Sequence, residues 1–241
     1  MIGTDENKSQ YINQKIDDWT QEINLLAEIA ATYPQAAYTA YVSSYQHKLT
    51  YFLRTIPSIC DELKRVDEAV RHRLIPSLTG GRIINDQERI MLSLPPRLGG
   101  MGLKIFSEES TNDHRDSMSA TVALQNQILQ TVDAPDAKSK SRLHNDRQQR
   151  HQEKLRAFLE TADANTKRMM ETLNQKGVSN WLTTIPTKEQ GFELTKQEFW
   201  DAIRIRYNWP PDRLPSTCAC RSQFNLAHAR YSRVRKVDLS H

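Results

Sequence analysis

Apolar side chains return every three or four positions along most of this chain. No segment of useful length alternates with the two-residue period of a strand. That spacing restricts the fold to packed helices. Tyr11, Ile12, Ile16, Trp19, Ile23, Leu26 and Ile29 mark a first helix over about 8–33. Pro34 suits the first position of the next, where its missing N–H costs nothing. That helix carries Ala36, Ala37, Tyr38, Tyr41, Tyr45, Leu49 and Phe52, and stops near Pro57. A third, with Ile59, Leu63, Val66, Val70 and Leu74 on one face, is expected to end at Pro76.

Asn85 with Glu88 reads as a capping box for a short helix through Ile90 and Leu92, which Pro95 and Pro96 terminate. The run Arg97-Leu98-Gly99-Gly100-Met101-Gly102 is too glycine-rich for a helix and suits a tight turn or a close backbone approach. A further helix is expected over about 108–131, followed by a polar linker from Thr131 to Asn145. From there to Lys176 the pattern is helical and weakly amphipathic. Its interspersed charges read as a solvent-exposed helix, with Gly177 as its stop. Thr195 with Glu198 is a second capping box, starting a helix that runs out by Trp209-Pro210-Pro211. Phe192–Leu194 is the one candidate extended piece.

Composition adds bounds. Hydrophobic residues make up 38% and mean hydropathy is −0.68, so elongated helical parts with little deep core are expected. No apolar run approaches the ~20 residues that span a bilayer. The polar start, Met1 to Gln10, carries no signal-peptide core. The chain is therefore expected to be intracellular, in nucleus or cytoplasm, with no membrane partner. Three cysteines, an odd count, argue against a disulfide framework, and Cys60 reads as a small buried hydrophobe. No nucleophilic triad, phosphate loop or HExxH site is present in the sequence.

Net charge is +4, which alone proves no nucleic-acid partner. Its distribution is more informative. From Lys196 to His241 basic residues outnumber acidic ones nine to four, Arg204 and Arg206 among them. Tyr207, Trp209, Phe224 and Tyr231 are interleaved. Basic groups among exposed aromatics suit unpaired nucleic acid, whose bases stack on aromatic faces. Equally, Tyr207 and Trp209 can pack a small core.

Several segments carry a resemblance. They are Tyr45-Gln46-His47-Lys48-Leu49-Thr50-Tyr51-Phe52-Leu53-Arg54-Thr55-Ile56-Pro57, then Leu94-Pro95-Pro96-Arg97-Leu98-Gly99-Gly100-Met101-Gly102-Leu103. Further on come Gly177-Val178-Ser179-Asn180-Trp181-Leu182-Thr183-Thr184-Ile185-Pro186, Gly191-Phe192-Glu193-Leu194 and Phe199-Trp200-Asp201-Ala202. Leu214-Pro215 leads into Cys218-Ala219-Cys220 and His228. In this order they resemble the part of metazoan retrotransposon reverse transcriptases, of the non-LTR-like kind, that lies from the thumb onward. Ile2-Gly3 resembles the end of the last palm strand, just past the Ala-Asp-Asp loop, which is not in this sequence. Polymerisation uses paired aspartates to hold two metal ions. Asp17-Asp18, the only adjacent Asp pair, falls on the polar face of the first helix and reads as solvated surface.

The resemblance implies a mainly α chain in three parts. A thumb-like helical bundle covers 1–131, a charged linker and long helix 132–176, and a small module with an incomplete zinc knuckle 177–241. It implies a template–primer-gripping piece of an RNA-directed DNA polymerase, not catalytic alone and served by an upstream palm and fingers chain, or else a truncated relic. Its partner would be RNA, DNA or a hybrid duplex. A thumb grips through cations that neutralise phosphates. The candidates are Lys48, Arg54, Arg71 and Arg73, the turn Arg97, Gly99 and Gly100 with its backbone N–H groups, and Arg204 and Arg206 further on. Cys218, Cys220 and His228 are the candidate zinc ligands. The family pattern puts a fourth ligand, Cys, where Ser232 stands, and structural zinc wants four. An empty knuckle is therefore the expectation. The rival reading is a helical scaffold or protein-interaction module.

Overall fold

The structure, a computed structural model, describes residues 4–128, 138–211 and 217. The described chain is mainly α-helical, as expected. Helix α1 spans Asp5–Ala30; the Thr4 side chain caps it by accepting from the Asn7 N–H at 3.4 Å, and Asp5 and Glu6 suit its positive end. Ile16, Trp19, Ile23, Ala27 and Ala30 form its buried stripe at three- and four-residue steps.

Two long helices follow, and each is widened once. Helix α2, Pro34–Ala40, passes through a π turn at Tyr41–Tyr45 into α3, Gln46–Thr55. Helix α4, Cys60–Ala69, passes through a second π turn at Val70–Leu74 into α5, Ile75–Leu78. A π turn inserts one residue, so the buried face steps by five. Tyr41 is followed inward by Gln46, and the buried pair Ala69 and Val70 by Leu74 and Ile75. The second widening has a local cause. Pro76 has no N–H to donate, and its ring would press on the carbonyl four residues back. The turn just upstream opens, and the helix continues to Leu78 instead of ending at Pro76.

Helix α6, Asp86–Ser93, starts at the expected capping box: the Glu88 N–H donates to Asn85 Oδ1 at 2.8 Å, and the Asn85 N–H to Glu88 Oε2 at 3.0 Å. After a 3-10 turn at Pro96–Leu98 the chain reverses at Gly99, whose φ of +91° is left-handed. Helix α7, Phe106–Ile128, packs against α3 and α4. Its first turn is capped from afar: the Asp67 carboxylate accepts from the Phe106 N–H at 2.8 Å and from the Ser107 N–H and hydroxyl at 3.0 and 2.6 Å.

The region expected as linker and one long exposed helix differs. Helix α8 begins at Lys138, inside the expected linker, and runs to Thr161. A break follows, because Asp163 caps a new helix, α9, Ala164–Leu173, accepting from the Asn165 and Thr166 N–H groups at 2.8 and 3.1 Å. Leu155 and Phe158 of α8 are buried, so one face is docked and not solvated. Two further helices are α10, Asn180–Thr183, and α11, Lys196–Arg206, the latter opened by the expected Thr195–Glu198 box. Phe192–Leu194 is irregular and forms no strand among the described residues: the Gln35 amide donates to the Phe192 carbonyl at 3.0 Å and accepts from the Leu194 N–H at 2.7 Å.

The expectation of little deep core is corrected. Among the described residues one apolar cluster runs from Ile16 to Trp209, with Tyr38, Tyr41, Phe106 and Phe199 fully enclosed. Each such ring buried stabilises by roughly 1.5–3 kcal/mol. The described part of the segment after Gly177 belongs to the same core, with Trp200 donating to the Ser77 carbonyl at 3.0 Å. No described helix is long and apolar enough to cross a membrane.

Candidate nucleic-acid interface

The candidate residues divide by burial. Arg204 and Arg206 are 7% and 6% exposed and point inward. Arg204 donates to the carbonyls of Thr79 at 3.1 Å and Gly80 at 2.7 Å. Arg206 donates to the Ser179 hydroxyl at 2.8 Å and the Gly100 carbonyl at 3.3 Å. They tie α11 to the loops beneath it, so their assignment as phosphate contacts is corrected. The sequence pattern placed them on an amphipathic helix without revealing that guanidinium forks satisfy buried carbonyls there.

The glycine turn is corrected for the same reason. Gly99 and Gly100 are buried, and their N–H groups donate to the carbonyls of Pro96 and Pro95 at 3.0 and 3.2 Å. None is left to hold a phosphate. A Cβ on Gly100 would overlap the Leu94 carbonyl, which is why glycine stands there. On the outer side Tyr207 donates from its hydroxyl to the Gly99 carbonyl at 3.1 Å. Tyr207 and Trp209 are 3% and 6% exposed, their rings 5.0 Å apart, with the Arg82 guanidinium 4.3 Å over Trp209. Of the two roles open to these rings, the structure takes the core.

Arg71 is half-buried, pairs with Asp86 at 2.6 Å and donates to the Ile84 carbonyl at 3.4 Å. Arg73 is exposed beside a polar groove of about 550 Å³ bordered by Asn24, Glu28 and His72. Lys48 is exposed and grips both carboxylate oxygens of Glu22 at 2.8 Å. Arg54 and Arg97 are exposed, and neither forms an ion pair with a described residue. Cys218, Cys220, His228 and Ser232 lie outside the described residues, as do Phe224 and Tyr231. Among the described residues no three His, Cys, Asp or Glu side chains are grouped to hold a metal. Cys60 is half-buried and not enclosed. Its thiol lies 3.0 Å from the Ser110 hydroxyl and 3.4 Å from that of Thr111, and the Ser110 contact first of all holds its pKa below the usual thiol value.

The structure adds residues that periodicity did not single out. Asp113 and Asp116 of α7 are buried and face α8. Arg150 meets Asp116 at 2.6 Å, Arg147 lies 3.7 Å from Asp113, and Lys154 meets Glu108 at 2.8 Å. Burial pushes the Asp113 carboxyl up, against the pull of Lys104, Arg147 and Arg54. His151, on the same helix, is driven down to about 4 by burial and then by Arg97, Lys104, Arg147 and Lys154. Its Nδ1 is enclosed with no hydrogen-bond partner. The α8 cations are thus engaged by carboxylates of α7, while Arg54, Arg97 and Lys104 form no ion pair with a described residue. Only the spacing of 147, 151 and 154, which shares a helix face, was readable beforehand.

No family model matches the chain, and no curated protein and no solved structure matches it significantly.

Proposed function

We propose that this chain engages nucleic acid as the thumb-onward part of a retrotransposon reverse transcriptase, and that it does not polymerise by itself. The paired aspartates of such a polymerase belong to a palm, whose Ala-Asp-Asp segment is not in this sequence. The upstream palm and fingers would be its protein partner. The observation that carries the reading is the exposure of Arg54 and Arg97, neither in an ion pair with a described residue, whereas Arg147 and Lys154 are held by Asp113, Asp116 and Glu108. Unpaired surface cations suit a phosphate backbone, because each neutralised phosphate releases counterions.

The test is binding of the purified chain to labelled RNA–DNA hybrid, DNA duplex and RNA duplex across a salt series. Affinity that falls steeply with salt, by about 0.9 logarithmic units per logarithmic unit of salt for each phosphate on B-DNA, is expected. No binding to any of them at low salt would sink the reading. A protein-interaction role is favoured by one observation. Met118 and Val122 sit one turn apart on α7 and are 50% and 47% exposed. The salt series separates the two roles, since a scaffold without a nucleic-acid role is expected to bind none of the duplexes.

A further inference from the structure

A cleft of about 510 Å³ opens where the first π turn, the Pro95–Lys104 segment, α8 and α10 meet. Its walls are of two kinds. Tyr38, Val42, Pro95, Pro96 and Leu182 supply apolar surface. Lys104 and the His151 imidazole supply polar groups.

Three features mark it as built for a ligand. The helix between Gln35 and Ile56 contains neither proline nor glycine, so the π turn at Tyr41–Tyr45 has no local cause. It is held open by tertiary contacts that shape the cleft wall: Gln46 accepts from the Lys104 N–H at 3.0 Å, and Tyr38 donates to the Met101 carbonyl at 2.7 Å. Distortions of this kind recur at functional sites. Second, the His151 ring lines the cleft, and its enclosed Nδ1 has no hydrogen-bond partner among the described residues. Third, Lys104 is the cation of the cleft wall, which also carries the Glu109 carboxylate. Lys104 forms no ion pair with a described residue, and its ammonium donates to the Thr50 hydroxyl at 3.2 Å, which leaves its charge for an anion.

An apolar slot with the Lys104 ammonium and the His151 ring in its wall is complementary to a flat, mostly apolar ring that carries a phosphate. We infer that this cleft binds a single nucleotide, its base between the proline-lined wall and Val42, and its phosphate beside Lys104 and the His151 ring. The nucleotide is either a free nucleoside monophosphate or an unpaired residue of a bound strand, and the second source rests on the nucleic-acid reading above.

The test follows the His151 ring resonances by NMR in the full chain. The probes are adenosine monophosphate, a short unpaired oligonucleotide and inorganic phosphate. Saturable shifts with the monophosphate identify a mononucleotide site, and shifts with the oligonucleotide alone identify a strand position; either supports the inference. Thr183→Trp, at the exposed mouth, is expected to abolish the shifts, and His151→Phe to weaken binding about tenfold, the scale of one hydrogen bond. Hybrid-duplex binding measured on Thr183→Trp reports separately on the wider reading and is expected to persist. No shift with either nucleotide probe, shifts undiminished in Thr183→Trp, or equal shifts with inorganic phosphate would overturn the inference.

Discussion

The two π turns look alike along the backbone and differ in origin. The one at Val70–Leu74 sits just before Pro76, and the proline explains it. The groove beside it is polar, with Asn24, Glu28 and Arg73 at its edge. The turn at Tyr41–Tyr45 has no breaker near it and is held by contacts to residues more than fifty positions away, Met101 and Lys104. It borders the cleft that holds an unpartnered imidazole. One distortion is a local accommodation, and the other is imposed by packing. A distortion of the second kind costs free energy with no local gain, which is why it points to function.

The largest effect is expected where packing holds the first turn in place. Gly100→Ala forces a methyl into the Leu94 carbonyl behind the cleft wall. It is expected to cost about 3 kcal/mol or more by the usual scale of overpacking and backbone strain, or to prevent folding, as read by urea denaturation. A loss under about 1 kcal/mol would mean that this wall is soft. Next, Gln46→Ala leaves the Lys104 N–H without its acceptor and empties a buried position. A loss of about 2 kcal/mol is expected from the unpaired donor and the cavity together. The first π turn is also expected to relax towards regular helix, seen as altered amide exchange over 41–46. Pro76→Ala is the mirror experiment. With the ring gone, the second turn is expected to close into α-helix with little change or a gain of up to about 1 kcal/mol. A clear loss of stability there would erase the contrast between the turns.

The smallest effect is a pH dependence. His151 in the fold is held near 4, below its ordinary 6.5, so the folded state takes up its proton later than the unfolded chain. Its contribution to stability is complete above pH 6.5 and is lost as pH falls towards 4. His151→Phe is expected to flatten that part of the stability profile. An unchanged profile would remove the imidazole from the account.

Much of the helical order was legible in the sequence. Both capping boxes, the proline at the start of α2 and the buried stripe of α1 follow from spacing and side-chain chemistry alone. What spacing could not show was the partner of each polar group. Arg204 and Arg206 read as surface cations because nothing local says that loop carbonyls lie beneath them. Asp113, Asp116 and His151 were not singled out, because the docking of α8 on α7 joins residues more than thirty positions apart. The glycines were rightly taken as a turn, and only the structure showed that their N–H groups are already used.

The central claim is that the exposed cations, not the buried ones, meet nucleic acid. The most direct test compares the salt dependence of hybrid-duplex binding for the natural chain and for an Arg54→Gln, Arg97→Gln double variant, with unchanged folding confirmed by circular dichroism. Two lost phosphate contacts are expected to weaken binding at low salt and make the slope of log affinity against log salt shallower by roughly 2 on the B-DNA scale. A double variant that folds normally and binds with the same affinity and the same slope would contradict the claim.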